Sequence, residues 1–229
     1  MPAEFDTYAQ DYKELLRDPI RDRFATDPRF YTERKWILLR DYLARLGRST
    51  RQMSWLDVGC GEGDLLRYGQ NAFARLAGCD SSSEMMRAAQ GLEVRHQSPP
   101  DRLPFDDAEF DLATAVCVFH HVEPAHRLGL VLEMTRVLRP GGIVCLIEHN
   151  AQNAVVRRMV KRIPVDVNAV LLEQRECYDL FARAGLRPLP GEFFLYLPER
   201  LYRPLSRLES LGRKIPLGGQ YAAFGSKPS

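Results

Sequence analysis

Residues 55–66 read Trp-Leu-Asp-Val-Gly-Cys-Gly-Glu-Gly-Asp-Leu-Leu, and this stretch constrains the chain more than any other. An apolar run meets glycines at alternate positions, Gly59, Gly61 and Gly63, and a helical pattern follows. Glycine is required where backbone takes a positive φ or lies against a ligand. The first turn of a helix offers unpaired N–H groups. The pattern therefore predicts a strand, a tight turn and a helix, with bare backbone open to a small polar ligand. Nucleotide-binding folds of several kinds share such a turn. A second apolar run, Arg75 to Cys79, ends in Asp80. That acid lies about 20 residues past the glycines, the spacing at which a carboxylate grips two ribose hydroxyls.

Beyond the turn, apolar runs alternate with helical patterns. Strands are expected at 53–58, 75–79, 92–96, 110–117 and 143–148, and helices near 63–73, 82–90 and 124–138. This alternation implies a parallel, doubly wound α/β sheet with right-handed crossovers. Two N-terminal helices are expected at 7–17 and 29–46, joined by a linker from Asp18 to Pro28 that holds two prolines. The segment 150–170, with Arg157, Arg158, Lys161 and Arg162, is too long for a plain connection and reads as an insertion. A helix over 173–184 follows. Strands at 192–197 and 220–225 flank a basic amphipathic helix over 199–212, which carries Leu201, Leu205, Leu208 and Leu211 on one face.

The chain has 229 residues, which fits one domain with a substantial core. We divide it into N-terminal helices (1–50), a ligand-binding core (51–150) and an insertion with a C-terminal substrate-side part (151–229). A net charge of +2 gives no global electrostatic case for a nucleic-acid partner. The longest apolar stretch, Leu112 to Phe119, is far too short to span a bilayer. The acidic N-terminus lacks the apolar run of a signal peptide, so a cytoplasmic location is expected. Five cysteines without a C-x-x-C pair indicate neither a zinc site nor a redox pair, and no metal is expected.

Further segments follow in a telling order: Leu103-Pro104-Phe105-Asp106-Asp107, then Phe110-Asp111-Leu112, then Arg136 to Gly142 leading into Ile143–Ile147. With the glycine turn and Asp80, these resemble the class I S-adenosylmethionine (SAM)-dependent methyltransferases of the small-molecule, type 11-like kind. The resemblance covers residues 50–150 through specific motifs and the rest more loosely. It implies a Rossmann-like seven-stranded sheet with an antiparallel last strand and N-terminal lid helices. It implies SAM as cofactor and S-adenosylhomocysteine as product. Gly59, Gly61 and Gly63, with Cys60 between them, would line the amino-acid end and ribose edge of SAM. Asp57 would orient the loop or receive the ammonium through water, or else cap the turn. Asp80 would take the ribose diol, followed by Ser81, and Met85 would cover one adenine face or simply pack in the core. The acid that many relatives carry before Leu-Pro-Phe is missing here, so Ser98, a backbone carbonyl or Asp101 would serve the adenine amino group. Cys117 would touch the cofactor by position rather than by thiol chemistry.

For the reaction itself, a hydroxyl nucleophile gains from a base near neutral pH, and histidine suits this. His149 directly follows the fifth strand, on the ligand-binding edge. The run Glu148-His149-Asn150 resembles a subgroup of the family from surface-polysaccharide, lipid and secondary-metabolite gene clusters. His120 is the rival base, and His121 matches the helix-start histidine of the family. The expected function is methyl transfer to a small-molecule or lipid- or sugar-linked acceptor, with oxygen preferred. A SAM-binding protein without turnover is the alternative. A Rossmann oxidoreductase is a further one, but it requires Gly-x-Gly-x-x-Gly, and position 64 here is Asp. Weak membrane-surface contact through the basic C-terminal part completes the expectations.

Overall fold

A computed structural model describes residues 4–98 and 102–229. Its strands are β1 (Ser54–Val58), β2 (Arg75–Asp80), β3 (Glu93–His96), β4 (Phe110–Val116), β5 (Leu138–His149), β6 (Arg187–Phe194) and β7 (Gln220–Ser226). They form one sheet in the order β3-β2-β1-β4-β5-β7-β6. The pairings among β1 to β5 are parallel, and β7 runs antiparallel to both β5 and β6. The doubly wound sheet and its antiparallel last strand agree with the sequence reading.

The helices are α1 (Tyr12–Leu15), α2 (Pro19–Phe24), α3 (Arg29–Arg45), α4 (Asp64–Gly69), α5 (Ser83–Met86), α6 (Arg127–Val137), α7 (Ala154–Val160), α8 (Gln174–Arg183) and α9 (Glu199–Leu211). Both faces of the sheet are covered, so the central strands are apolar throughout rather than alternating. In β5, Val144 and Leu146 join one core with Leu130, Val131 and Met134 of α6 and with Leu180 and Phe181 of α8. Ile143, Cys145 and Ile147 join the opposite core, with Trp36, Leu39 and Leu43 of α3. Trp36 stacks on Trp55 with ring centroids 6.2 Å apart. Leu39 is fully buried, so Leu39→Ala would cost about 2–5 kcal/mol.

The N-terminal region departs from expectation. Residues 7–17 do not form one helix; a 3-10 turn (Glu4–Thr7) and the single turn α1 replace it. The expected linker contains α2, because Asp18 accepts a hydrogen bond from the Ile20 amide at 2.8 Å and Pro19 occupies the first helical position. An N-cap followed by proline starts a helix here rather than breaking one. In α9, Pro204 produces the kink recorded at Leu205. The insertion folds as α7 and a 3-10 turn, Pro164–Asp166. No helix among the described residues is long and apolar enough to cross a membrane.

Candidate active site

The carboxyl ends of β1, β2, β4 and β5 share one edge of the sheet. At the first of these, Gly59, Gly61 and Gly63 all take positive φ, at 70°, 51° and 77°. Their surroundings differ. A Cβ on Gly59 would collide with Val118 Cγ2, and one on Gly63 would lie 2.5 Å from Leu92 Cδ1. Those two glycines are explained by turn geometry and protein packing. Among the described residues, a Cβ on Gly61 would meet only Met85 Cε, at 3.4 Å, so this glycine leaves room for a ligand. The Gly61 amide donates to Asp80 Oδ2 at 2.8 Å, and the Ser82 amide donates to Asp80 Oδ1 at 2.8 Å. Burial pushes the Asp80 carboxyl up, against the lowering effect of these amides. Two carboxylate oxygens offer about four lone-pair sites, so acceptor capacity remains for a diol. The open backbone at Gly61, the adjacent carboxylate and the Met85 thioether fit the ribose and adenine of SAM.

Other expected cofactor residues fall nearby with different partners. Asp57 is buried and accepts from Thr114 Oγ1 at 2.5 Å, while Trp55 Nε1 donates to the same hydroxyl at 2.8 Å. Burial raises the Asp57 carboxyl to about 7, with Thr114 and Lys35 opposing. Cys60 is buried and would crowd a Cβ at Gly78. Burial pushes its thiol far up, consistent with packing rather than reactivity. The Ser81 side chain is exposed, and its carbonyl pairs with His96 Nε2 at 3.0 Å. Its neighbour Ser82 is the buried one, capping α5 through the Met85 amide. Ser98 is exposed, and Asp101 lies outside the described residues.

A cavity of about 300 Å³ opens beyond the ends of β4 and β5. Tyr12, Phe24, Met159 and Ile163 supply apolar lining, and Lys35, Cys117, His120, His121, His149 and Asp166 supply polar atoms. Cys117 has a left-handed φ of 58°, uncommon for a residue with a Cβ. Its sulfur pairs with Lys35 Nζ at 3.4 Å and Gln220 Nε2 at 3.3 Å.

The three histidines meet one carboxylate. His120 Nδ1 lies 2.5 Å from Glu148 Oε2, and its Nε2 lies 3.5 Å from Asp166 Oδ1. His121 Nε2 is 3.3 Å from that same oxygen, and His149 Nε2 is 4.0 Å from Asp166 Oδ2. Burial opposes charging of His120, yet the flanking carboxylates hold its pKa up, at about 10. Burial and the neighbouring His120 lower His149 to about 3, which leaves its ring neutral at physiological pH. Glu148 Oε1 also accepts the Val118 and Phe119 amides, at 3.0 and 2.7 Å. Sequence reasoning brought out the histidines but missed Glu148 and Asp166 as their partners. The run of Glu148 into His149 was a signal for the first; Asp166, alone in the insertion, gave none.

A strap formed by residues 4–17 crosses both regions. Asp6 Oδ1 accepts from Ser82 Oγ at 2.6 Å and from the Glu84 amide at 3.3 Å, next to Asp80. Phe5 packs edge-on against His121 with centroids 4.9 Å apart. Lys13 pairs with Glu62 in the glycine turn. Burial raises the Tyr12 hydroxyl, which is also under the influence of Cys117, Asp166 and Asp80.

The sheet order, the reversed β7 and the glycine turn facing Asp80 define the class I methyltransferase architecture. Residues 56–146 match the methyltransferase domain family Methyltransf_11. Over 106 residues it is 41% identical to a malonyl-[acyl-carrier protein] O-methyltransferase of Pseudescherichia vulneris, covering 44% of this chain and 41% of that protein. Over 139 residues it is 32% identical to the chloroplastic 2-phytyl-1,4-beta-naphthoquinone methyltransferase of Arabidopsis thaliana, covering 55% and 52%. The matched stretch thus spans about half or less of these relatives. Other relatives are named as tRNA methyltransferases. A solved Thermotoga maritima structure, described as a SAM-dependent methyltransferase and possible histamine N-methyltransferase, covers 97% of each chain with a TM-score of 0.69 at 17% identity. At that identity the likeness is one of fold.

Proposed function

We propose that this chain transfers the methyl group of SAM to an oxygen of a small acceptor, free or linked to a lipid or sugar, seated in the cavity. One observation carries the reading: the Gly61–Asp80 cradle and the His149-lined cavity sit on the same sheet edge, beneath a single strap. A volume of about 300 Å³ lies at the lower end of the range for small-molecule sites. The O-methyltransferase relative supports oxygen as the acceptor atom. The modest net charge favours such an acceptor over a nucleic acid. The reading places the protein in the cytoplasm, with weak membrane contact through Arg157, Arg158, Lys161 and Arg162.

SAM supplies a methyl group already activated by its sulfonium. The chain's part is to hold the acceptor in line, which can lower the barrier by several kcal/mol. Both ring nitrogens of His120 face carboxylates, which leaves His149 as the histidine for the acceptor hydroxyl. A neutral His149 ring accepts the hydroxyl's hydrogen bond and takes its proton as the C–O bond forms. Even a weak base suffices at that stage, because an alkylated hydroxyl is strongly acidic. The neighbouring His120 ring, with centroids 5.2 Å apart, and the cavity wall pack around it.

The test is methyl incorporation from labelled SAM across hydroxyl, carboxyl, amine and tRNA acceptors. Alkali-stable label on a hydroxyl acceptor, reduced about 10²–10⁴-fold in kcat by His149→Ala, supports the reading. Transfer to tRNA, or SAM binding with no turnover on any acceptor, overturns it.

A further inference from the structure

We propose that His120, His121 and Asp166 bind one divalent first-row metal ion, zinc foremost, on the wall of the acceptor cavity. Among the described residues these three form a group whose ligand atoms all lie within 4.8 Å of one another. Two separations carry the argument. Asp166 Oδ1 stands 3.5 Å from His120 Nε2 and 3.3 Å from His121 Nε2. Charge-assisted hydrogen bonds between such groups are shorter, about 2.7–2.9 Å. Bonds of about 2.0–2.1 Å at tetrahedral angles place neighbouring ligand atoms about 3.3–3.4 Å apart, close to the His121 distance and slightly short of the His120 one.

The protonation pattern agrees. Glu148 Oε2 faces His120 Nδ1 at 2.5 Å, so that nitrogen carries the proton. In the neutral ring, Nε2 then presents a lone pair to the Asp166 carboxylate. A cation between these two atoms would take the place of the proton that a charged His120 shares with Asp166. A carboxylate behind the far nitrogen of a ligating histidine is the usual outer partner of such a site, fixing tautomer and ring orientation. Glu148 is itself held by the Val118 and Phe119 amides.

The ligand frame is rigid. Asp166 ends a 3-10 turn whose amide bonds Ile163 O at 3.0 Å, and Val170 N bonds His120 O at 2.8 Å, tying the insertion to the β4 loop. Two imidazoles and one carboxylate suit zinc and its neighbours rather than magnesium or calcium. Three protein ligands leave coordination positions facing the cavity, the pattern of catalytic rather than structural zinc. There an acceptor hydroxyl or carboxylate oxygen would bind, with His149 beside it. That use of the ion rests on the methyl-transfer reading; ion binding by the chain does not.

The rival explanation is a protonated His120 bridging Glu148 and Asp166 with no ion. Calorimetric titration of chelator-treated, SAM-free protein with Zn²⁺ distinguishes them. One ion per chain is expected, and Co²⁺ in its place should give the strong visible absorption of a low-symmetry four- or five-coordinate site. Glu148→Gln should weaken Zn²⁺ binding about 10–100-fold. Asp166→Asn should abolish it. His121→Asn tests the same point at the least buried ligand, where folding is safest. Folded wild-type protein that binds no stoichiometric ion overturns the proposal. So does binding that His121→Asn and Asp166→Asn leave unchanged. A separate SAM titration reads the cofactor reading, so the two can fail independently.

Discussion

Asp80 pins the Gly61 and Ser82 amides with one carboxylate, and on the proposed reading its remaining acceptor capacity serves a ribose. Asp80→Asn retains an oxygen for one amide and loses the charge. SAM affinity should fall about 10–100-fold, the cost of about 1.5–3 kcal/mol for a charge-assisted contact, with the melting temperature little changed. Calorimetry showing wild-type affinity would move the ribose elsewhere. Asp57 makes a different residue-scale prediction. Its carboxyl rises from 3.8 to about 7 on burial, so the native state holds a proton that the unfolded chain has released. Stability therefore falls as pH rises from about 4 to about 7, then levels off. Asp57→Asn keeps an acceptor for Thr114 and should flatten that slope in melting curves taken across the window. An unchanged slope would mean that Asp57 is ionised in the fold. These residues also show what sequence spacing can carry. Gly61 and Asp80 stand 19 residues apart at the ends of the neighbouring strands β1 and β2, so the helix-and-strand pattern alone brought them together. His120 and Asp166 meet only because the insertion folds back over β4, and no local pattern records that return.

At the scale of elements, α9 is held to α3 by a buried ion pair, Arg34 Nη2 to Glu209 Oε1 at 2.6 Å, with Tyr202 also hydrogen-bonded to Arg34 and its ring beneath the guanidinium. Glu209 Oε1 also accepts the Leu195 amide at 3.0 Å. Removing one member leaves a buried charge, which costs about 3–5 kcal/mol. Glu209→Ala should therefore destabilise strongly in urea unfolding. Replacing the pair together, Arg34→Met with Glu209→Leu, should cost much less. Equal losses in the single and double variants would show that packing, not charge, anchors α9. The leucines that mark α9 in the sequence do not face the core, since Leu201, Leu208 and Leu211 are exposed; the buried residue of this helix is Glu209, which the leucine pattern did not reveal. The central strands were legible because each carries a short apolar run; β6 was not, since its first half, Arg187 to Gly191, holds two prolines and lies before the expected 192–197. The N-terminal elements were not, since proline serves equally as a breaker and as a first helical residue, and only the Asp18 cap decides.

Across the whole molecule, the strap touches α5 through Asp6, the glycine turn through Lys13 and the cavity through Phe5 and Tyr12, yet α1 contributes no buried residue by overall exposure. Deleting residues 1–17 should leave a cooperatively folding core. Bound SAM should leave it at least several-fold faster in rapid-mixing experiments. A dissociation rate equal to that of the full chain would show that the strap is only packing. The strap also has a consequence for the order of events. Cradle and cavity both touch the same strap, so its opening would serve both. On the proposed reading, traffic would then be a queue: spent cofactor that lingers under the strap would block the next acceptor as firmly as an inhibitor made for the purpose.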